Sequence, residues 1–336
     1  MMKKSFIAMI AAGMYMCSSA DASAQGIALF SDVVSPVDQL MIADGYFMNT
    51  VDLRFAPQRD QRTMMHLQGS PRKMVQKVVM NRLVGVKDKG VYPDTVYFTP
   101  DCNISRIAVP AFKAGGLDMA PERVEVTYTA NGKIDYMTRF SKSQFSYGFK
   151  DRKDITRYVY DNNGNLLKEV FNMYMLEGGK WQQQQSFKDQ VDIAYGYNAQ
   201  GELESAEANA LQGLVFYNAK GLITKISRED GYEPKYIYTY DEYDRMSGFT
   251  GYVEEDGVDD TEYFKDMVTF TRDIHGDITS CVKTRHTCNS KWRVTRKGLP
   301  KTYKVAYTRD AQGNWTRATI TQGKLVVATI TRVFTY

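Results

Sequence analysis

The sequence predicts an all-β protein, an extended twisted antiparallel sheet or open roll of hairpins, behind a small irregular or helical N-terminal segment. Three observations predict it. An aromatic residue, a glycine four positions later and an apolar residue two after that recur along the chain. The steps Asn131-Gly132 and Asn163-Gly164 stand between alternating apolar runs, which is the strongest short-range signal for a hairpin. With 23 Tyr and 16 Phe in 336 residues, the chain is rich in side chains that favour a pleated, half-buried surface.

The chain divides into three parts: residues 1–24, 25–69 and 70–336. The first reads as a secretory leader. Lys3-Lys4 forms a basic start, Phe6 to Met16 an apolar stretch too short to span a bilayer, and Ala22-Ser23-Ala24 a small-residue cleavage site. Cys17 leaves open a second reading, an acylated first residue, although such sites usually follow a small residue and Met16 stands there. Either way the mature chain is expected outside the cytoplasm: periplasmic, at the cell surface or secreted. No later stretch is apolar enough for a transmembrane helix.

Residues 25–69 lack the repeat and form an arm with one short helix. Ser35 is placed to cap it, Pro36 fits the first helical position, and Gly45 supplies a stop. From Ser70 the texture is strand. Openings at Pro71, Pro121, Pro234 and Pro300 suit strand starts, where a missing N–H need not join the ladder.

Within residues 70–336 the mark is met strictly four times, at Tyr128/Gly132/Ile134, Tyr160/Gly164/Leu166, Tyr197/Gly201/Leu203 and Tyr217/Gly221/Ile223. Looser copies are Tyr240/Asp244/Met246, Arg272/Gly276/Ile278, Arg309/Gly313/Trp315 and Phe98/Cys102/Ile104. The glycines, and Asp244 in their place, are expected at positive φ, which glycine adopts at no steric cost and aspartate tolerates. Cys102 lacks that tolerance, so its turn is expected to be distorted. The glycine-position spacings run from 20 to 37 residues, so insertions such as Gly251 to Glu262 are expected to bulge from a common sheet.

The runs Tyr160-Asp161-Asn162-Asn163-Gly164-Asn165-Leu166, Tyr197-Asn198-Ala199-Gln200-Gly201 and Tyr217-Asn218-Ala219-Lys220-Gly221 resemble YD repeats, the signature of the Rhs family of exported bacterial proteins. The resemblance covers roughly residues 96–325. It implies antiparallel hairpins, an extracytoplasmic location and a binding or structural role. In large members the repeats wind into a shell around a C-terminal toxin. This chain has too few repeats for such a shell and ends in strand at Val333-Phe334-Thr335-Tyr336, so it resembles a short stand-alone member.

Charge narrows the function. The chain carries 43 basic and 39 acidic side chains, a net +4, too balanced for a nucleic-acid binder. Its three histidines, His66, His275 and His286, lie in no catalytic arrangement, and no serine or cysteine sits in a nucleophile elbow. No catalytic residue, metal or cofactor is assigned. The acidic run from Glu254 to Glu262 does not have the spacing of a calcium loop. Folding residues 279–288 back around Thr284-Arg285 would set Cys281 across from Cys288, so a disulfide is expected there, with Cys102 left as a thiol. Exposed rings are the strongest functional hint: Trp181, Tyr197, Tyr217 and Trp315 are candidates for stacking a glycan or protein ligand. The expected function is thus a secreted or envelope-associated, non-enzymatic repeat protein that binds through an aromatic sheet face. The alternatives are an outer-membrane β-barrel or an enzyme with an unrecognised site. Oligomeric state is left open.

Overall fold

The computed structural model describes residues 67–81, 90–114, 117–145, 148–208, 214–228, 234–256 and 261–336. The leader, most of the arm with its expected helix, and His66 lie outside the described residues.

The described chain is strand and turn. β1 (Lys73–Met80), β2 (Gly90–Phe98) and β3 (Ile104–Val109) lead to a small separate hairpin, β4 (Phe112–Ala114) and β5 (Leu117–Met119). Long strands follow: β6 (Glu122–Tyr128), β7 (Ile134–Phe145), β8 (Gly148–Tyr160), β9 (Leu166–Glu177) and β10 (Lys180–Tyr197). Then come β11 (Leu203–Ala208), β12 (Val215–Tyr217), β13 (Ile223–Ser227), β14 (Pro234–Tyr240), β15 (Met246–Asp256) and β16 (Thr261–Arg272). The last are β17 (Ile278–Cys288), β18 (Val294–Arg296), β19 (Lys301–Arg309), β20 (Trp315–Gln322) and β21 (Leu325–Thr335). Gly251 to Asp256 and Thr261-Glu262 therefore continue two paired strands and do not bulge from the sheet.

The sheet is closed, which corrects the expectation of an open sheet or roll. Each strand pairs antiparallel with its chain neighbour, β17 pairs with both β18 and β19, and β21 returns to β1. Setting β4, β5 and β18 aside leaves a ring of 18 strands from the 21. The closing pair runs in register from Lys73↔Thr335 to Met80↔Ala328. Closure satisfies the edge groups that an open sheet would present to other chains.

Turn chemistry explains the repeat. In each copy the residue after the first mark donates its N–H across the loop, as Asp161 N to Asn165 O at 2.9 Å, and Gly164 N returns to Asp161 O at 3.1 Å. This is a three-residue loop, a type I turn closed by a left-handed residue in a bulge, and not the two-residue form. Only the glycine position needs positive φ: Gly132, Gly164, Gly201, Gly221, Gly276 and Gly313 lie between 74° and 93°, and Asp244 at 60°. Cys102 lies at 62° and makes the same two hydrogen bonds, so its turn is not the distorted one. The carboxamide or carboxylate that opens a turn accepts two further N–H groups, as Asp161 Oδ1 does from Asn163 and Asn165, both at 2.8 Å. Asn198, Asn218, Asp241, Asp273 and Asp310 do the same.

A Cβ built on Gly221 meets nothing within 4 Å, so this site isolates the backbone requirement. Gly221→Val is expected to cost about 1 to 3 kcal/mol through backbone strain alone, read as a lowered denaturation midpoint at unchanged slope.

All eight turns lie at one rim, together with the start of β1 and the end of β21. Neighbouring hairpins are stapled just below it. Tyr128 donates its hydroxyl to Ile104 O at 2.6 Å, Tyr160 to Ile134 O at 2.8 Å, Tyr195 to Leu166 O at 2.9 Å, Tyr240 to Ile223 O at 2.7 Å and Tyr307 to Ile278 O at 2.8 Å. Each acceptor is the apolar residue that ends the preceding mark. Where arginine replaces the aromatic, the staple persists: Arg272 Nε donates to Met246 O at 3.2 Å. At Tyr128, Tyr160 and Tyr240 the aromatic mark is thus a hydrogen-bond donor as well as a ring, while Tyr195 and Tyr307, two residues before their marks, take that part on their strands.

The two faces of the ring differ sharply. On successive strands Met74 and Val78, Val96, Ile107, Val124 and Val126, Met137, Tyr158, Val191, Tyr238, Val268, Val305, Ile320 and Ile330 are buried and join one cluster. Their strand neighbours, such as Lys77, Arg157, Lys304 and Arg317, are exposed. The inner face is therefore mainly apolar, with a minority of buried charged side chains among it such as Arg139, Asp154, Glu169, Asp266 and Lys283, while the exposed charges point outward. A round ring of about 16 to 18 strands leaves a channel of water. Here Met74, Ile134, Ile278, Ala318, Ile320 and Ile330 on the inner wall are each at 0% exposure, so the interior is packed with side chains.

Candidate functional site

The sequence-derived ligand residues do not converge. Trp181 sits on the outer face at the far rim, just past the Gly178-Gly179 turn. Tyr197 is at the turn rim, where its hydroxyl accepts from Asn165 Nδ2 at 3.0 Å. Tyr217 and Trp315 belong to the buried core, Trp315 beneath the Arg332 guanidinium at 3.6 Å. There is no aromatic sheet face of the kind expected. The outward rings are also covered by cations: Arg106 over Tyr97 at 3.9 Å, Arg123 over Phe140 at 4.2 Å, Lys153 over Tyr174 at 4.7 Å and Trp181 at 5.1 Å, and Lys225 over Phe216 at 3.9 Å. A sugar ring would have to displace those cations before it could stack, so the carbohydrate-binding reading is withdrawn.

One outer cleft of roughly 290 Å³ lies where β7 and β8 run past the start of β6, lined by Pro121, Glu122, Arg123, Phe140, Ser141, Lys142, Asp151, Arg152 and Trp181. Its outward charges are already matched: Lys142 faces Asp151 at 3.5 Å and Arg123 faces Glu125 at 3.1 Å. Behind it, on the inward face of the same strands, Arg139 holds Glu122 in a two-pronged pair at 2.7 Å and Arg152 holds Asp154 at 2.7 Å. Burial raises the Glu122 and Asp154 carboxyls above their usual range. A small-molecule site normally offers converging polar groups that await a partner. Here they face one another.

The more unusual group lies inside, at the closing seam. Gln76 on β1 is opposite Asp94 on β2 and also opposite Arg332 on β21. Gln76 Nε2 donates to Asp94 Oδ2 at 2.9 Å, and Arg332 Nε donates to Gln76 Oε1 at 2.9 Å. All three are buried. Desolvation raises the Asp94 carboxyl to about 7, opposed by the Gln76 hydrogen bond and the Arg332 charge. Sequence reading missed this triad. Its trace is the polar residue within Met74-x-Gln76-x-Val78, an inner-face alternation.

Two further clusters are structural. Arg285 clamps Asp266 at 2.7 and 2.6 Å and reaches Glu255 at 2.7 Å. At the far rim Asn289 opens a ninth turn, unread in the sequence, that puts Trp292 at φ 58°. Its ring meets Tyr252 and Tyr263 edge-on, each at 5.4 Å.

The expected disulfide is absent. Cys281 and Cys288 lie on the single uninterrupted strand β17, and neither forms a bridge. Seven residues of strand separate them by about 23 Å, far beyond the roughly 7 Å that a bridge spans. Among the described residues, no group of three or more His, Cys, Asp or Glu is placed to hold a metal, and no helix is long and apolar enough to cross a membrane. His275 is exposed at a turn, and His286 Nδ1 accepts from Gly298 N at 3.1 Å.

The sequence matches no protein-family model, and no curated protein matches it. Among solved structures, the chain is similar to a porin-like protein from Bacteroides uniformis, at 11% identity over 80% of this chain and 99% of that one, with a TM-score of 0.37. A porin-like protein from Bacteroides vulgatus gives 12% identity over 77% and 97%, with a TM-score of 0.25. The Photorhabdus luminescens Tc holotoxin pore gives 10% identity over 77% of this chain but 19% of that one, with a TM-score of 0.22. The resemblance to YD-repeat proteins rests on the turns alone.

Proposed function

We propose that the chain works at the bacterial envelope as a closed β-barrel that stays in the aqueous phase, a filled body and not a conduit for solutes. The leader-like first 24 residues support the location. The packing and polarity of the two faces carry the rest: an interior filled with side chains leaves no open channel, and a charged exterior favours water over lipid.

The alternative is insertion in the outer membrane. An even ring of 18 strands, with short turns and both ends of the ring at one rim, favours it. Outward charge opposes it. Lys77, Arg106, Arg157, Lys225, Lys304 and Arg317 project from six different strands of the ring. Lys77 and Lys304 stand mid-strand, where each would cost about 2 to 4 kcal/mol near the bilayer midplane, whereas Arg106, Arg157, Lys225 and Arg317 lie close to the turn rim, where the cost falls to about 0 to 1 kcal/mol each. An inserted barrel also needs an apolar outer belt, and here the apolar stripe faces inward.

Purification separates the two readings. The mature chain is expected to be monodisperse without detergent and to give no conductance when added to a planar bilayer. A protein that stays folded only in detergent and conducts would overturn the proposal.

A further inference from the structure

We propose that the Asp94 carboxyl is a proton-operated lock on the seam that closes the barrel. The seam is the pairing of β1 with β21, residues about 250 positions apart in the chain, and it brings Gln76 into register with Asp94 on one side and Arg332 on the other. Gln76 spends its amide on both neighbours, donating to Asp94 and accepting from Arg332. Asp94 Oδ1 has no hydrogen-bond partner. A neutral carboxylic acid suits that position, because the buried oxygen left over then carries no full charge. A carboxylate there is a buried anion, two residues along β2 from Val96 and opposite a glutamine that gives it a single hydrogen bond.

The surroundings supply little to steady the anion. Gln76 is the group facing it from β1, Arg332 from β21, and Trp315 on β20 covers the guanidinium. Among the described residues, Arg332 is the charged group that acts on Asp94. Lys73 and Lys77 flank Gln76 in sequence but alternate to the outer face. Arg332 donates to Gln76, and its charge opposes the rise of the Asp94 carboxyl.

The sign follows from the raised carboxyl. Burial lifts it from 3.8 to about 7, so its contribution to seam stability is fully present below 3.8 and is lost progressively as pH rises to about 7. The seam is therefore tight when Asp94 is protonated and looser when it is ionised. A register slip of two residues would place Met74 or Val78 opposite Asp94 and Arg332, so the same triad also fixes how the ring closes.

Amide hydrogen exchange of β1 tests this, corrected for intrinsic rates, at pH 5.5 and 8.5, with β14 to β16 as the internal reference. Relative protection of β1 is expected to fall on the order of tenfold to thirtyfold between the two pH values in the natural protein. It should stay nearly constant in Asp94→Asn, whose amide mimics the protonated acid. Flat protection in the natural protein overturns the lock, and so does an equal fall in Asp94→Asn. If Asp94→Asn does not fold, the side-chain carboxyl carbon of Asp94 can be titrated by NMR in the natural protein. A midpoint below pH 5 overturns the proposal, and one near 7 supports it.

Discussion

Replacing Asn314 with leucine is expected to loosen the barrel where its two ends meet, at a cost of about 3 kcal/mol or more. Asn314 is 1% exposed and belongs to the eighth turn, next to the end of β21. Its carboxamide pairs with one backbone unit of the segment before β1: Oδ1 accepts from Gln68 N at 2.8 Å and Nδ2 donates to Gln68 O at 2.9 Å. Nδ2 also donates to Tyr336 OH at 2.7 Å, which in turn donates to Asp310 Oδ2 at 2.8 Å. Leucine has similar bulk but satisfies none of these groups, and stranding buried backbone polar atoms costs about 1 to 3 kcal/mol each. Asn314→Asp keeps the acceptor and loses the donors, so it should fall between. Denaturant midpoints of the three proteins check the order.

Gly248→Ala is expected to cost about 3 kcal/mol for a different reason. The strands β15 and β16 pair in register at Gly248↔Thr269, just beyond the bulge that follows the Asp244 turn. A Cβ at this position would overlap the Val268 carbonyl oxygen and stand 3.2 Å from both Thr239 Oγ1 and the Thr269 Cα. Backbone on the neighbouring strand cannot swing aside as a side chain can, so the ladder itself must shift. Gly251→Ala is the control. Its Cβ would meet chiefly the Tyr236 ring, at 3.1 Å, which can yield by a small rotation. Thermal midpoints should separate the two variants clearly, and equal losses would argue against the backbone explanation.

The hairpins were legible because their cause is local. A left-handed residue marks each turn, and an opening Asp or Asn announces six of the eight, the other two opening with Thr99 and Thr129. The ninth turn escaped because Trp292 holds the position that glycine, Asp244 or Cys102 fills elsewhere, and only its opening Asn289 follows the rule. Closure was not legible. Nothing near Lys73 or Thr335 announces that those two residues pair, since the partner is supplied by the accumulated curvature of the whole ring. The disulfide failed because Thr284-Arg285 has no turn chemistry, and the strand simply continues through it. Leu167, Glu169, Phe171, Met173 and Met175 alternate along one stretch with a charge midway, which breaks the uninterrupted apolar face that a lipid-facing strand needs. In the structure Glu169, Phe171, Met173 and Met175 are all buried, while Leu167 is exposed across a bulge. A sequence without a lipid-facing stripe can still close into a barrel. It then closes around its apolar side.

The polarity of the two faces is tested most directly by labelling lysines in the natural envelope. A membrane-impermeant, amine-acylating reagent applied to outer-membrane fractions opened by osmotic shock, without detergent, should modify Lys77 and Lys304, which stand exposed on the outward face of β1 and β19. Lys283, buried on the inward face at 6% exposure, should remain unmodified until the protein is denatured. Protection of Lys77 and Lys304 that is lifted only by detergent would put the outer face in lipid and contradict the account.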